Sequence, residues 1–272
     1  MVVFGVFLII LGVGLAVWRK GWDGKSDFKL AVISSDNLAV ISISPMRDMV
    51  NVLEVDKEVM VWIPGGLGWY KADKVKRLLD QEKSFTDYRS IFFYNFGFVA
   101  DRVVFLDTLE DWDSNNNLVS QLGVFGWIKY MMWQNSVIVG REQLAGSFEY
   151  NRETLKEVMM RDFGDDNILA EDMRLSVYNT SSETGLAGFV AERLDWAGFS
   201  VMEVSNFEEE IEGCLMTYSP MVEKKYSFLM LKDFFGSCLM KEDGGLSENE
   251  IYLYLGDGFS RMLKYSNYVR SF

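Results

Sequence analysis

Chemistry in this chain has to come from a narrow set of side chains. Its 272 residues include no His and only two Cys, so the commonest general base and the commonest zinc ligand are missing. Carboxylates, Lys, Arg and hydroxyl groups remain. With 27 Lys and Arg against 40 Asp and Glu, the net charge is -13, and such a surface repels nucleic-acid phosphates. We therefore expect no nucleic-acid partner.

The two cysteines, Cys214 and Cys238, each stand at the start of a predicted strand. These strands flank a predicted helix at 226–235, and a crossover of this kind makes them parallel neighbours. Both thiols would then lie at the same end of one sheet. A disulfide there would stabilise the fold by about 3 kcal/mol in an oxidising compartment. Two buried, unpaired thiols are the alternative that the sequence leaves open.

The amino terminus predicts a membrane anchor. Residues 2–18, VVFGVFLIILGVGLAVW, carry no charge, and as a helix they would span roughly 25 Å of the bilayer. A cleaved signal peptide is the alternative, but no basic segment precedes the run and no small-residue cleavage site follows it. We therefore expect a single-pass transmembrane helix over residues 1–20.

The charges next to this span do not agree with an outward orientation. Arg19, Lys20, Lys25 and Lys29 follow it, and the positive-inside rule would keep the body of the protein in the cytoplasm. A basic leader ahead of the present start would reverse that count. Orientation therefore stays open at the level of local charge.

Hydrophobic periodicity predicts an α/β body in two parts, a mixed α/β domain at 21–167 and a smaller unit at 168–272. The acidic, Gly-containing run at 163–166 is interpreted as the hinge between them. The C-terminal unit is predicted to have the order βαββαββ. In the first part, short strands lead into a helix at 69–81, strand-like aromatic runs at 90–96 and 99–106, an apolar core or interfacial helix at 118–133, and an amphipathic helix at 141–160.

Residues 175–206, LSVYNTSSETGLAGFVAERLDWAGFSVMEVSN, resemble the C-terminal domain of LytR-type cell-envelope proteins. That pattern places a strand before an Asn-containing turn, then Gly-Leu-Ala opening a helix, then Gly-Phe and a second strand. Asn179, Gly185, Gly198 and Asn206 match it, and 252–256 resembles the closing strand. The resemblance covers about a third of the chain and implies a binding or interaction domain.

A weaker resemblance, to the LytR-CpsA-Psr catalytic domain, lies upstream. Residues 36–45 are similar to a strand motif of that family, and 53–64 to its next strand. The resemblance implies a transferase that moves glycopolymers from a polyprenyl-pyrophosphate carrier to the cell wall. It also implies that Asp36, as a metal or phosphate ligand, and Lys57 with Glu58, at the family's Arg-Asp position, are the candidate catalytic residues. Asp36 and Glu58 would then hold Mg²⁺.

This chain departs from the family where the pyrophosphate is held. A guanidinium donates two parallel hydrogen bonds to a phosphate, whereas Lys57 offers one point charge on a flexible stem. Two solvated charges at a strand end are the simpler interpretation of Lys57 and Glu58. The upstream domain is therefore predicted to be a shortened and degenerate relative of the enzyme, without a cofactor.

The sequence thus predicts a membrane-anchored, single-pass cell-envelope protein with an extracytoplasmic body. Its LytR-type C-terminal domain would bind a cell-wall polymer or an envelope protein without catalysis. A divergent phosphotransferase that uses Asp36, Lys57, Glu58 and Mg²⁺ is the enzymatic alternative. A regulatory protein that faces the cytoplasm is a third possibility, supported only by the flanking cations.

Overall fold

A computed structural model describes Trp22 and residues 24–108, 138–144 and 152–269. These residues form a mixed α/β structure with two five-stranded sheets and a separate two-stranded hairpin. Only the backbone is described for residues 138–144.

The predicted transmembrane helix is corrected here. Residues 2–18 lie outside the described part of the chain, and none of the helices in the described ranges has the length and hydropathy needed to cross a bilayer. The membrane-spanning element is therefore no part of the fold reported below. The predicted helix at 118–133 also lies outside the described residues.

The first sheet has the strand order β6-β1-β2-β3-β7. Strands β1 to β3 form an antiparallel meander, while β6 and β7 join β1 and β3 as parallel edge strands. Side chains on both faces of the meander are buried, so its strands are almost continuously apolar. The bounds are β1 Phe28–Ile33, β2 Leu38–Ser44, β3 Met49–Val55, β6 Arg102–Phe105 and β7 Ile138–Leu144.

The elements between β3 and β6 cover one face of this sheet. A β4-β5 hairpin is followed by two helices whose buried residues join the core formed by Ala31, Ile33 and Val40. These elements are β4 Met60–Ile63, β5 Gly68–Lys71, α1 Ala72–Gln81 and α2 Tyr88–Phe96.

The strand-like run predicted at 90–96 is helical, in α2. Ile91, Phe92, Phe93 and Tyr94 are all buried, so the helix packs on several sides and shows no polar stripe in the sequence. Periodicity alone does not separate such a helix from a buried strand. Gly97 ends helix α2 in the left-handed conformation.

The helix predicted at 141–160 is also wrong in its first part. Strand β7 pairs with β3 in parallel through residues 138–144, and the next described element is the helix α3, Arg152–Val158. A π-helical turn, Met159–Phe163, continues it, and α4 follows at Asp166–Glu171. Pairing with a neighbouring strand overrides the local amphipathic pattern here.

The C-terminal unit contains the second sheet, of order β11-β10-β12-β8-β9. Its strands and helices follow the order βαββαββ, and two short helices come after the last strand. The elements are β8 Arg174–Asn179, α5 Leu186–Trp196, β9 Ser200–Asn206, β10 Cys214–Tyr218, a 3-10 turn Pro220–Val222, α6 Tyr226–Phe234, β11 Leu239–Glu242, β12 Glu250–Leu255, α7 Asp257–Leu263 and α8 Tyr265–Val269.

The two parts of the chain share a hydrophobic core. Trp62 of the β4-β5 hairpin contacts Phe189 of α5 and Tyr268 of α8 edge to face, with ring centroids 5.9 and 5.2 Å apart. Conversely, Trp196 of α5, which belongs to the C-terminal unit, is buried in the core of the first sheet. The run at 163–166 is therefore not an open hinge, and Asp165 within it is fully buried.

Gly97 fits the contact between α2 and α5 because it has no side chain. Its φ is +65°, and a Cβ built there would stand 2.5 Å from the Cβ of Trp196 and 2.9 Å from the carbonyl oxygen of Arg193. Both the backbone conformation and the space exclude larger residues. The close approach of the two helices depends on this glycine.

We expect Gly97→Ala to lower the free energy of unfolding by about 1–3 kcal/mol, because it adds both steric overlap and a strained φ. Gly188→Ala is the matched control, since a Cβ at this helical position meets no atom within 4 Å. That change should be neutral or stabilising by up to about 1 kcal/mol. Urea denaturation of both variants measures the difference, and equal stability of the two would contradict the proposed contact.

Candidate functional site

Asp36, Lys57 and Glu58 occupy turns at the same edge of the first sheet. Asp36 lies in the turn between β1 and β2, and the other two follow β3; because Leu38 pairs with Val55, both turns lie at that edge. All three side chains are exposed. The structure thus brings them to one side of the sheet but leaves them on the surface.

Two carboxylates at this edge, those of Glu58 and Asp107, are paired with lysines. Glu58 forms an exposed ion pair with Lys71 of β5, and Lys76 of α1 lies 2.9 Å from a carboxylate oxygen of Asp107. Lys76 also donates to the hydroxyl of Ser35, next to Asp36, across 3.5 Å. The cations that form these pairs are ammonium groups, which do not supply the forked donors that hold a pyrophosphate.

The residues predicted to hold Mg²⁺ do not fit that ion. Glu58 is engaged by Lys71, and over the described ranges no cluster of three or more Asp, Glu or Cys side chains has the geometry of a metal site. A hard divalent cation needs several oxygen ligands around one point. Asp36 and Glu58 therefore provide too few oxygen ligands for a metal-assisted step.

A buried polar cluster, which the sequence did not reveal, joins the two sheets. Lys29 of β1 is only 1% exposed, and its Nζ lies 3.5 Å from a carboxylate oxygen of Asp165. Tyr226 of α6 donates its hydroxyl to the same carboxylate across 3.1 Å. Burial, more than the nearby carboxylates, raises the pKa of this tyrosine, so it stays a neutral donor. Lys29 is thus a structural cation in a strand, although the charge count had placed it beside a membrane.

Two further carboxylates complete this cluster. Asp101 accepts a hydrogen bond from the backbone N–H of Lys29 at 2.7 Å, and Asp27 accepts one from the hydroxyl of Ser44 at 2.6 Å. Desolvation is the main cause that raises the pKa of Asp27 and, to about 6, that of Asp101. Asp27 is buried, whereas Asp101 is an exposed residue at the rim of the cluster. The cluster is saturated by its own members, which indicates a structural role.

Cys214 and Cys238 are joined by a disulfide, with their Cα atoms 4.7 Å apart. Strands β10 and β11 pair in parallel from Leu215 and Leu239 onward, so the two cysteines stand at the same end of the sheet. Both residues are buried, at 5% and 6% exposure. The covalent link fixes the short edge strand β11 to the sheet.

Among the described residues, helices cover only one face of the C-terminal sheet. Along β12, Ile251, Leu253 and Leu255 are buried, whereas Tyr252 and Tyr254 are partly exposed. The buried set packs with residues of α5 and α6 in one core. The alternation of strand side chains therefore points the tyrosines to the other, open face.

Four aromatic residues gather on this open face. Tyr178 of β8 stacks on Tyr254 with centroids 5.0 Å apart, and Phe207, just after β9, contacts both rings at 5.7 and 5.1 Å. Tyr252 meets Tyr178 edge to face at 5.7 Å. We call Tyr178, Tyr252, Tyr254 and Phe207 the aromatic face.

Carboxylates border the aromatic face. The hydroxyl of Tyr178 donates to one oxygen of Glu203 at 3.0 Å, and the hydroxyl of Ser205 donates to the other oxygen at 3.0 Å. Desolvation, together with the hydrogen bond to Glu203, raises the pKa of Tyr178 to about 12. Its hydroxyl is thus a neutral donor in the physiological range. Aromatic rings with polar tips and fixed charges nearby are typical of binding surfaces.

Sequence reasoning missed this surface for a simple reason. Tyr252 and Tyr254 alternate with buried residues, which is an ordinary strand pattern, and Phe207 lies just beyond the next strand in the chain. An alternation of tyrosines with leucines was the available signal. It could not show that rings from three separate segments meet.

Comparison with known proteins finds no family model and no curated protein that matches the chain. Among solved structures, a fragment of a proposed transcriptional factor from Listeria monocytogenes aligns at 9% sequence identity over 89% of this chain and 100% of that one, with a TM-score of 0.20. A likeness of this size carries no argument about fold or function. The resemblance to LytR-type proteins stays a prediction.

The raised pKa of Asp101 predicts a pH dependence of stability. The folded chain binds the Asp101 proton more tightly than the unfolded chain, so the contribution of this group to the free energy of unfolding falls as the pH rises from about 4 to about 6. Asp101→Asn keeps an acceptor for Lys29 and cannot titrate. We therefore expect the variant to gain stability relative to the parent chain between pH 4 and pH 7 in urea denaturation.

Asp257→Asn is the control with the opposite sign. Asp257 accepts hydrogen bonds from Ser182, which lower the pKa of its carboxyl. The parent chain gains stability from this group as the pH rises through the carboxyl range, so the variant should lose stability relative to it. A stability difference that does not change with pH for Asp101→Asn would contradict the assigned pKa.

The disulfide predicts a large effect of reduction. Its sequence separation of 24 residues corresponds to about 3 kcal/mol of chain entropy removed from the unfolded state. We expect the Cys214→Ala, Cys238→Ala double variant to lose about 3 kcal/mol of unfolding free energy and therefore to unfold at a lower urea concentration. Dithiothreitol should lower the unfolding free energy of the parent chain by a similar amount, whereas the unfolding free energy of the double variant should stay unchanged. A parent chain that is indifferent to the reductant would contradict the bond.

Proposed function

We propose that this chain is a non-catalytic binding protein of the cell envelope, whose C-terminal sheet binds a cell-wall polymer or an envelope protein through the aromatic face. The single observation that carries the proposal is the cluster of Tyr178, Tyr252, Tyr254 and Phe207 on a sheet face that no described helix covers. Exposed aromatic clusters of this kind supply a large contact area at low conformational cost.

The disulfide supports an extracytoplasmic location. Disulfides persist in oxidising compartments and are rare in the reducing cytosol. Cys214 and Cys238 lie close enough to be bonded without distortion of the backbone, since their Cα distance of 4.7 Å falls in the ordinary range.

The phosphotransferase alternative receives no support from the candidate residues. Asp36 and Lys57 are exposed, and Glu58 is held by Lys71. Phosphoryl transfer needs preorganised cations around the pyrophosphate in a site from which water is excluded. An adaptor that holds a ligand on its surface needs neither.

The proposal predicts that the full chain co-sediments with cell walls isolated from the organism that encodes it. Tyr254→Ala should reduce the bound fraction by roughly tenfold, because it removes the ring that contacts both Tyr178 and Phe207. The control is Phe105→Ala, which removes an exposed ring from the first sheet and should leave binding unchanged. Circular dichroism verifies that both variants are folded.

Two wall preparations separate the two ligand classes. Binding to walls stripped of protein assigns the ligand to the polymer, and binding only to unstripped walls assigns it to an envelope protein. Absence of binding to both preparations, or equal binding by Tyr254→Ala, would overturn the proposed function.

A further inference from the structure

The strand β9 forms a free edge of the C-terminal sheet. Within the described residues it pairs only with β8, and it is the last strand in the sheet order. Met202 and Val204 are exposed at 63% and 47%, so the edge carries apolar side chains. An exposed edge strand with unpaired N–H and C=O groups is a template for another strand.

We propose that the edge of β9 receives an extended, basic segment of a partner protein as an added strand, whose cationic side chains contact the aromatic face. This inference rests on the proposed function and narrows its ligand to one class. Main-chain hydrogen bonds would supply affinity, and the aromatic face with its carboxylates would supply the preference for Lys and Arg. Strand β9 has seven residues, with a bulge at Met202 where its register with β8 shifts. The edge β11 is less suitable for a basic segment, since it has only four residues and carries Lys241.

The charges next to β9 indicate that the partner segment is positively charged. Glu203 lies within the strand, and the segment that follows Phe207 carries Glu208, Glu209 and Glu210, all exposed. Desolvation raises the pKa of Tyr254, and the charges of Asp243, Glu209 and Glu203 act in the same direction. Glu203 contacts the aromatic face directly, through the hydroxyl of Tyr178. A partner segment that follows β9 would pass these groups, and complementary charge favours a cationic one.

The ring geometry indicates how cations would be bound. Centroid distances of 5.0 to 5.7 Å among Tyr178, Tyr254 and Phe207 mean that the rings contact one another. No cation can therefore sit between them as in an aromatic cage. An ammonium or guanidinium group would instead lie on an outer ring surface, with Glu203 or Glu209 as its counter-charge.

A second copy of this chain is a poorer occupant for the same edge. Antiparallel pairing of β9 with a second copy would bring the two Glu203 residues close together, and each chain carries a net charge of -13. Like charges placed across an interface cost binding free energy. The edge therefore favours a basic partner over self-association.

The test uses the full chain and a fluorescent peptide that alternates Lys and Val, measured by fluorescence anisotropy at physiological salt. A charge-reversed peptide of Glu and Val tests the role of charge. A basic peptide with Pro in place of alternate Val residues tests strand pairing, because Pro donates no main-chain hydrogen bond. We expect the Lys-Val peptide to bind, and both other peptides to bind at least roughly tenfold more weakly.

Variants of the chain locate the binding edge. Met202→Lys should weaken binding of the Lys-Val peptide by roughly tenfold, because a cation on an edge strand opposes strand addition. Leu229→Lys, at an exposed position of α6, makes the same charge change elsewhere and should leave binding unchanged. A Lys-Val peptide that does not bind, equal binding of the Pro peptide, or an unaffected Met202→Lys variant would each overturn the inference.

The cell-wall binding assay tests the proposed function separately from the peptide assay. If cell-wall binding depends on Tyr254 but the Lys-Val peptide fails, the aromatic face is a binding surface and the strand-addition inference is wrong. Sedimentation velocity addresses self-association. A dimer of the parent chain that Met202→Lys abolishes and Leu229→Lys preserves would assign the edge to a second copy and overturn the basic partner.

Discussion

The ion pair between Lys29 and Asp165 links the two sheets at a place where neither charge reaches water. Lys29 belongs to the first sheet, and Asp165 begins the helix that leads into the second, so the pair fixes how the parts meet. Removing one member of a buried pair leaves an uncompensated charge, which costs several kcal/mol. The hydroxyl of Tyr226 and the backbone N–H of Asn167 also donate to Asp165 and complete its coordination. The pair is also tied to the core of the first sheet, because the Lys29 ammonium lies 5.9 Å from the ring centroid of Phe98, a member of that core.

With the two sheets fixed in this way, one face of the second sheet has no covering layer among the described residues. Strands β1 to β3 of the first sheet are buried on both faces, whereas the second sheet is packed by helices on one face and carries the aromatic face on the other. A sheet with one solvated face normally shows polar side chains there. Here three tyrosines and a phenylalanine take that place, with carboxylates at their border. The proposed binding function follows from this departure from the ordinary pattern.

Sequence patterns predicted the C-terminal unit better than the first part. Strands and helices alternate there with clear apolar periodicity, and glycines such as Gly198 mark helix ends. In the first part, α2 is buried on several sides and therefore carries no stripe from which a helix could be distinguished. Strand β7 was missed because its identity depends on β3, a partner distant in sequence. Lys57 and Glu58 are exposed, as expected for solvated charges at a strand end, whereas their position at the same end of the sheet as Asp36 depends on the pairing of β2 with β3.

The sequence by itself determined the chemistry that is available: an acidic chain without His, two cysteines at strand starts, and α/β periodicity. These properties depend on composition and on contacts between residues near in sequence, which a linear pattern records. Only the tertiary structure decided that Lys29 is buried against Asp165, that the cysteines meet, and that Tyr178, Tyr254 and Phe207 form one surface. Each of these contacts joins residues from separate elements, so its existence depends on how sheets and helices pack, and no local pattern encodes that arrangement.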